Sequence, residues 1–233
     1  MKKFWGFYEN GSFRVGCNGG TVYIYDSDNH ELATFKDFPY AYSAEFMLNK
    51  SIVAVKSTAG YIGFYDLDKL VLLKKVKFSQ IEAQDEGFSF SADGNFFYNI
   101  EKTESSFYTE LAIYEMESFT KIKTLFSDNK LMYLEYIEVD AESGTCYVSG
   151  YMRKPKDEVI DYGFVGIFDE ASSKIINIRM LDKEDQEYLN AYKSWELSGF
   201  TEKSLEWNDT LKKLEKIIPV SIKEVHRNGG FHV

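Results

Sequence analysis

The sequence predicts an all-β fold of four successive four-stranded antiparallel meanders, followed by a C-terminal helical hairpin. Three observations carry that reading. Four apolar runs, Thr21–Asp26, Tyr61–Asp66, Leu111–Glu115 and Phe164–Asp169, each close on an aromatic residue and then an acid. Their closing acids, Asp26, Asp66, Glu115 and Asp169, are 40, 49 and 54 residues apart, which brackets the ~40–50-residue period of strand-only repeats. The chain has 233 residues, of which 44% are hydrophobic and 17% aromatic, with only three Pro. That is enough apolar mass for a core without disulfide or metal staples.

Each copy extends in both directions. After the acids come turn formers, Ser27-Asp28-Asn29-His30, Leu67-Asp68-Lys69, Met116-Glu117-Ser118 and Glu170-Ala171-Ser172-Ser173, and then strands at 32–36, 71–78, 121–126 and 174–180. Before the copies lie apolar runs at 13–17, 52–55, 95–100 and 146–149, preceded by outlying pieces at 4–8, 43–47, 87–90 and 134–139. Turn clusters such as Asn10-Gly11, Asn49-Lys50, Ser91–Gly94 and Asp140–Gly144 divide these pairs. Short β-rich runs separated by Gly, Asn, Asp and Ser read as antiparallel meanders. The third and fourth copies hold long charged connections, Glu101–Glu110 and Tyr151–Tyr162, which account for their wider spacing.

A four-stranded meander cannot bury both faces alone, so copies must stack, and strand-only repeats of this length stack radially. Residues 4–181 resemble the WD-repeat-like β-propeller family. Phe88-Ser89-Phe90-Ser91-Ala92-Asp93-Gly94 is similar to its strand-then-turn signature, and Tyr25-Asp26, Tyr65-Asp66 and Phe168-Asp169 stand where its Trp-Asp pair stands. No Trp-Asp dipeptide and no Gly-His signature occurs, and the third copy ends in Glu115, so the family's side-chain tetrad is incomplete. The resemblance implies a β-propeller-like domain of four blades over 1–181, with a fifth completed by the tail as the alternative.

From Leu181 the pattern turns helical. Asp182 is a capping residue, and Leu189, Tyr192 and Leu197 recur at helical spacing before Ser198-Gly199. Trp207, Leu211, Leu214 and Ile218 form a second stripe that Pro219 ends. Residues 182–233 therefore read as an extension packing on the β domain, with Trp195 and Trp207 as candidate partner-binding aromatics.

Charge restricts the partners. The net charge is −10, and only Arg14, Arg153, Arg179 and Arg227 of 27 basic residues are Arg. Nucleic acid and anionic membrane are disfavoured, because both select for clustered cations. The apolar run after Met1-Lys2-Lys3 stops at Glu9, short of a secretory leader. Cys17 and Cys146 are too few for a disulfide framework. The expected compartment is the cytoplasm.

Chemistry is sparse. The three histidines, His30, His226 and His232, show no metal-ligand spacing, and Asp26–Glu31 lacks the Gly and the distal Glu of a calcium loop. Gly16-Cys17-Asn18-Gly19-Gly20 has no helix after it to make a phosphate cradle. No catalytic, metal or cofactor residue is assigned. The expectation is a non-enzymatic scaffold, monomer or homodimer, that binds a protein partner through its loops. Tyr151, Met152, Arg153 and Lys154 are the loop candidates, for their aromatic, flexible and cationic character. The alternatives are an enzyme with acids gathered in a central channel, or a small acidic antagonist of a basic protein.

Overall fold

The computed structural model describes residues 4–79, 87–102, 108–129, 132–153 and 160–180. The predicted helical extension, with Trp195 and Trp207, lies outside the described residues. No helix occurs among the described residues, so none is long and apolar enough to cross a membrane.

Among the described residues, sixteen strands form four four-stranded antiparallel sheets, each a simple meander. The chain divides into two compact units of two sheets each. In unit 1 the first sheet holds β1 (Gly6–Glu9), β2 (Phe13–Asn18), β3 (Thr21–Asp26) and β4 (Glu31–Phe35). Its second sheet holds β5 (Ala41–Phe46), β6 (Ile52–Ser57), β7 (Tyr61–Asp66) and β8 (Val71–Lys77). Unit 2 repeats the plan. Its first sheet holds β9 (Phe88–Phe90), β10 (Phe96–Lys102), β11 (Thr109–Glu115) and β12 (Thr120–Leu125). Its second holds β13 (Met132–Val139), β14 (Cys146–Arg153), β15 (Ile160–Asp169) and β16 (Lys174–Met180).

Side-chain alternation sends the two faces of a strand to different surroundings. On β3, Val22 and Ile24 join Val15 and Cys17 in a core shared with Val53, Val55 and Tyr65 of the next sheet. The alternate positions Tyr23 and Tyr25 gather with Phe4 and Phe7 into an aromatic cluster, with ring centroids 5.4–6.4 Å apart. Unit 2 does the same. Tyr98, Ile100, Leu111 and Ile113 pack with Leu134, Ile137 and Val148, while Phe88, Phe90, Phe97 and Tyr114 form the aromatic side. Each fully buried Phe or Ile contributes about 1.5–3 kcal/mol, so the high aromatic content is spent on covering both faces of these sheets.

The fourth strands are sheet edges, and three of the four carry exposed lysines: Lys74, Lys75 and Lys77 on β8, Lys121 and Lys123 on β12, and Lys174 on β16. Charge on an edge opposes pairing with another chain. This is one destination of the basic residues in an acidic protein.

The two long connections differ from the sequence expectation. Strand pairing continues into both, with Glu101 opposite Glu110 and Lys102 opposite Thr109. In the fourth sheet Tyr151, Met152 and Arg153 pair with Gly163, Tyr162 and Ile160. Charged side chains suggested solvent, yet Glu101 is only 2% exposed because neighbouring donors satisfy it.

Candidate functional site

The four aromatic-acid endings occupy one position. Asp26, Asp66, Glu115 and Asp169 are the last residues of β3, β7, β11 and β15, the third strands of their sheets. The preceding residues, Tyr25, Tyr65, Tyr114 and Phe168, are buried. In the first three sheets a register shift falls immediately before that aromatic residue; in the fourth it falls between Val165 and Ile167. A bulge there bends the strand into its turn.

The acids then hold the turns. Asp26 Oδ1 accepts the Asp28 and His30 amides at 2.9 and 2.8 Å, and Asp66 Oδ1 accepts those of Asp68 and Lys69 at 3.0 and 2.8 Å. Asp169 accepts the Ser172 amide and hydroxyl, and Glu115 the Ser118 hydroxyl. Bonds to the ionised form lower a carboxyl pKa. The His30 amide chiefly holds Asp26 below the ordinary range, the Lys69 ammonium does so for Asp66, and the Ser172 hydroxyl for Asp169. A left-handed residue completes every turn: Asn29, Leu70, Phe119 and Ser173, at φ 68°, 53°, 54° and 55°. These acids are turn chemistry repeated four times, not a reactive centre.

Asp26, Asp28 and His30 do bring three potential metal donors within 4.8 Å of one another. The group is exposed, and His30 Nδ1 lies 3.0 Å from Asp26 Oδ2. The turn is built as its three counterparts are, so the geometry is explained without an ion.

A second polar cluster centres on the buried Glu101. Glu101 Oε1 accepts Asn99 Nδ2 at 3.0 Å and the Tyr114 hydroxyl at 2.6 Å, and Oε2 accepts Lys121 Nζ at 2.5 Å. Burial, then the Glu101 charge, pushes the Tyr114 phenol up. Burial likewise pushes the Cys17 and Cys146 thiols up, leaving both protonated and poorly nucleophilic.

The surface of unit 1 is different at one end. Trp5 and Tyr40 each stand one residue before the first strand of their sheet, and they are 51% and 59% exposed. The Trp5 amide donates to Cys17 O at 2.7 Å, and the Ala41 amide donates to Gly19 O at 2.5 Å. A Cβ on Gly6 would lie 2.5 Å from Tyr42 O, so the two first strands approach closely and both aromatics emerge at the same end. Tyr40 has φ 57°, a left-handed conformation that costs a non-Gly residue roughly 1–2 kcal/mol. The Thr58 amide bonding Tyr40 O at 3.1 Å and the Ser57 hydroxyl bonding Pro39 O hold it there.

Cations frame the same end. Lys77 Nζ donates to Ala59 O at 2.8 Å, in the turn that holds Tyr40, and lies 4.1 Å from the Tyr61 ring centroid. Lys75 Nζ donates to Asp37 O at 2.7 Å and lies 4.5 Å from the same centroid. Beside Trp5 and Tyr40, the Gly19-Gly20 turn leaves open space where a side chain would stand.

Sequence reasoning missed these residues. Trp5 reads as one more apolar strand residue, and nothing local announces the φ of Tyr40. The usable signal was Pro39-Tyr40 in a connection, opposite a double-glycine turn. Of the sequence candidates, Tyr151, Met152 and Arg153 end β14, and their backbone pairing is described above. Lys154, Trp195 and Trp207 lie outside the described residues.

No protein-family profile matches the sequence, and no curated protein matches it. Solved structures do. The WD40 domain of Toxoplasma gondii coronin is similar with a TM-score of 0.60 and 15% identity, over 79% of this chain and 47% of that one. Hydrazine synthase of Kuenenia stuttgartiensis is similar with a TM-score of 0.60 and 13% identity, over 78% of this chain and 51% of the other. The chain thus spans about half the length of these structures. Among the described residues the fold is β-propeller-like and resembles a WD40 domain, with four meander blades, as the aromatic-acid repeat predicted; the tail that would complete a fifth lies outside them.

Proposed function

We propose that this chain is a non-enzymatic, cytoplasmic scaffold that binds a protein partner through the Trp5–Tyr40 end of unit 1. One observation carries the reading: two large aromatics, Trp5 and Tyr40, are exposed at the same end of unit 1, each one residue before the first strand of its sheet. Trp and Tyr are enriched in interface hot spots. WD40-like folds typically serve as protein-interaction scaffolds, with function carried by loops on a rigid frame. The connection that begins at Tyr151, Met152, Arg153 and Lys154, and the extension with Trp195 and Trp207, are proposed as further contacts.

A photo-crosslinking residue in place of Tyr40 tests this. The expected result is a discrete adduct in native extract that unlabelled wild-type chain competes away and a Trp5→Ala chain does not. Equal adducts from Tyr40 and from the exposed Leu32 of β4 would overturn it.

A further inference from the structure

We infer that the occupant of the Trp5–Tyr40 end is an extended acidic segment of a partner protein, with its carboxylates on Lys75 and Lys77 and its apolar side chains against the two aromatics. This rests on the scaffold reading above and adds the partner's chemistry.

The first support is a charge polarity inside unit 1. The end with the aspartate-held turns carries Glu9, Asp26, Asp28, Asp66 and Asp68 against Arg14, paired with Glu9, and Lys69, paired with Asp66. The opposite end carries Lys36, Lys75 and Lys77 against Asp37. In a chain of net charge −10, a locally cationic end beside exposed aromatics is against the average, and complementary charge selects partners and steers their approach.

Donor inventory is the second support. Each lysine spends one N–H on a backbone carbonyl, Lys75 on Asp37 O and Lys77 on Ala59 O. An ammonium has three donors, so both retain donors for a carboxylate. Those carbonyl bonds and the contact of both ammoniums with the Tyr61 ring hold their heads in place, which cuts the ordering cost of binding.

Shape is the third. Gly19 and Gly20 leave open space around the hairpin turn next to Ala41, so nothing in that turn blocks a chain approaching Tyr40. Phosphates would satisfy lone lysines as well, but a nucleic-acid groove needs a longer cationic track than these residues provide.

The test uses the full chain and a short fluorescein-labelled peptide of alternating Glu and Tyr, with an alternating Lys and Tyr peptide and a single-stranded oligonucleotide as the other arms. The Glu/Tyr peptide should bind best, and more weakly as salt rises. Trp5→Ala, Tyr40→Ala and the double variant Lys75→Gln/Lys77→Gln should each weaken it by about tenfold or more. Lys36→Gln, outside the lysine–Tyr61 cluster, should weaken it by a few fold and covers the case in which the double variant misfolds. Equal or tighter binding of the Lys/Tyr peptide or the oligonucleotide, or affinity unmoved by the lysine changes and by salt, would overturn the inference. A Tyr40 adduct formed with a neutral or basic partner segment would leave the scaffold standing and remove this inference alone.

Discussion

The Tyr98 hydroxyl donates to Glu170 Oε2 at 2.6 Å across 72 residues of sequence. Tyr98 belongs to the second strand of one sheet in unit 2, and Glu170 follows the closing acid Asp169 of the next. A turn that the repeat defines locally is thus also a pin between sheets, beside the 5.6 Å edge-on contact of Tyr98 with Phe168. Tyr98→Phe keeps the ring and removes the bond. The expected loss is about 1 kcal/mol, read as a lower urea midpoint with an unchanged slope.

Glu101 is the more costly position. Glu101→Ala removes the buried acceptor of the Tyr114 hydroxyl and the Asn99 amide while the exposed Lys121 turns to water, a loss of about 1–3 kcal/mol for each buried donor left unsatisfied. Glu101→Gln retains an acceptor for Asn99 or Tyr114 and should lose clearly less. Calorimetric unfolding of the two variants side by side checks the order.

Acid should act through the turns. The folded-state pKa values of Asp26, Asp66, Asp140 and Asp169 are lowered by the hydrogen bonds their carboxylates accept. A lowered folded value means the stabilisation is full above the unfolded pKa, near 3.8, and is lost as pH falls through the folded values. Stability should therefore hold down to about pH 4 and decline below it. A chain with all four replaced by Asn should show a shallower decline in urea midpoints over the same range.

Gly60 anchors the turn beside Tyr40. Its φ is +80°, and an added Cβ would lie 2.3 Å from Ser79 O. Gly60→Ala should cost about 2 kcal/mol or more. Gly20→Ala, which meets nothing within 4 Å, should stay within about 0.5 kcal/mol of wild type. Thermal melts distinguish them.

Tyr40 should show a trade of stability against binding. Asn adopts the left-handed region readily, so Tyr40→Asn should stabilise the chain by up to about 1 kcal/mol. The same change should weaken the Glu/Tyr peptide about tenfold. A variant both less stable and unimpaired in binding would contradict the role given to this residue.

What was legible in the sequence was local. Asp66 reaches the amides of Asp68 and Lys69 within three residues, so turn chemistry and strand alternation exposed the repeat before any contact was known. Strand ends were blurred where charge imitates a loop: Glu101 is paired and buried only because Asn99, Tyr114 and Lys121 converge on it after folding. The left-handed turn residues were hidden for another reason. Leu70 and Phe119 occupy a conformation that Gly or Asn would advertise. Trp5 and Tyr40 were illegible as a pair because the first strands of two sheets bring them together, and Trp5 taken alone has the pattern of a core residue.

Hydrogen–deuterium exchange of the full chain with and without the Glu/Tyr peptide tests the docking end most directly. Protection should rise at the amides of Gly6, Gly20, Ala41 and Thr58 and remain unchanged at Asp28, Asp68 and Lys69 in the acid-held turns. Protection confined to those turns, or none in unit 1 while the peptide is bound, would contradict the account.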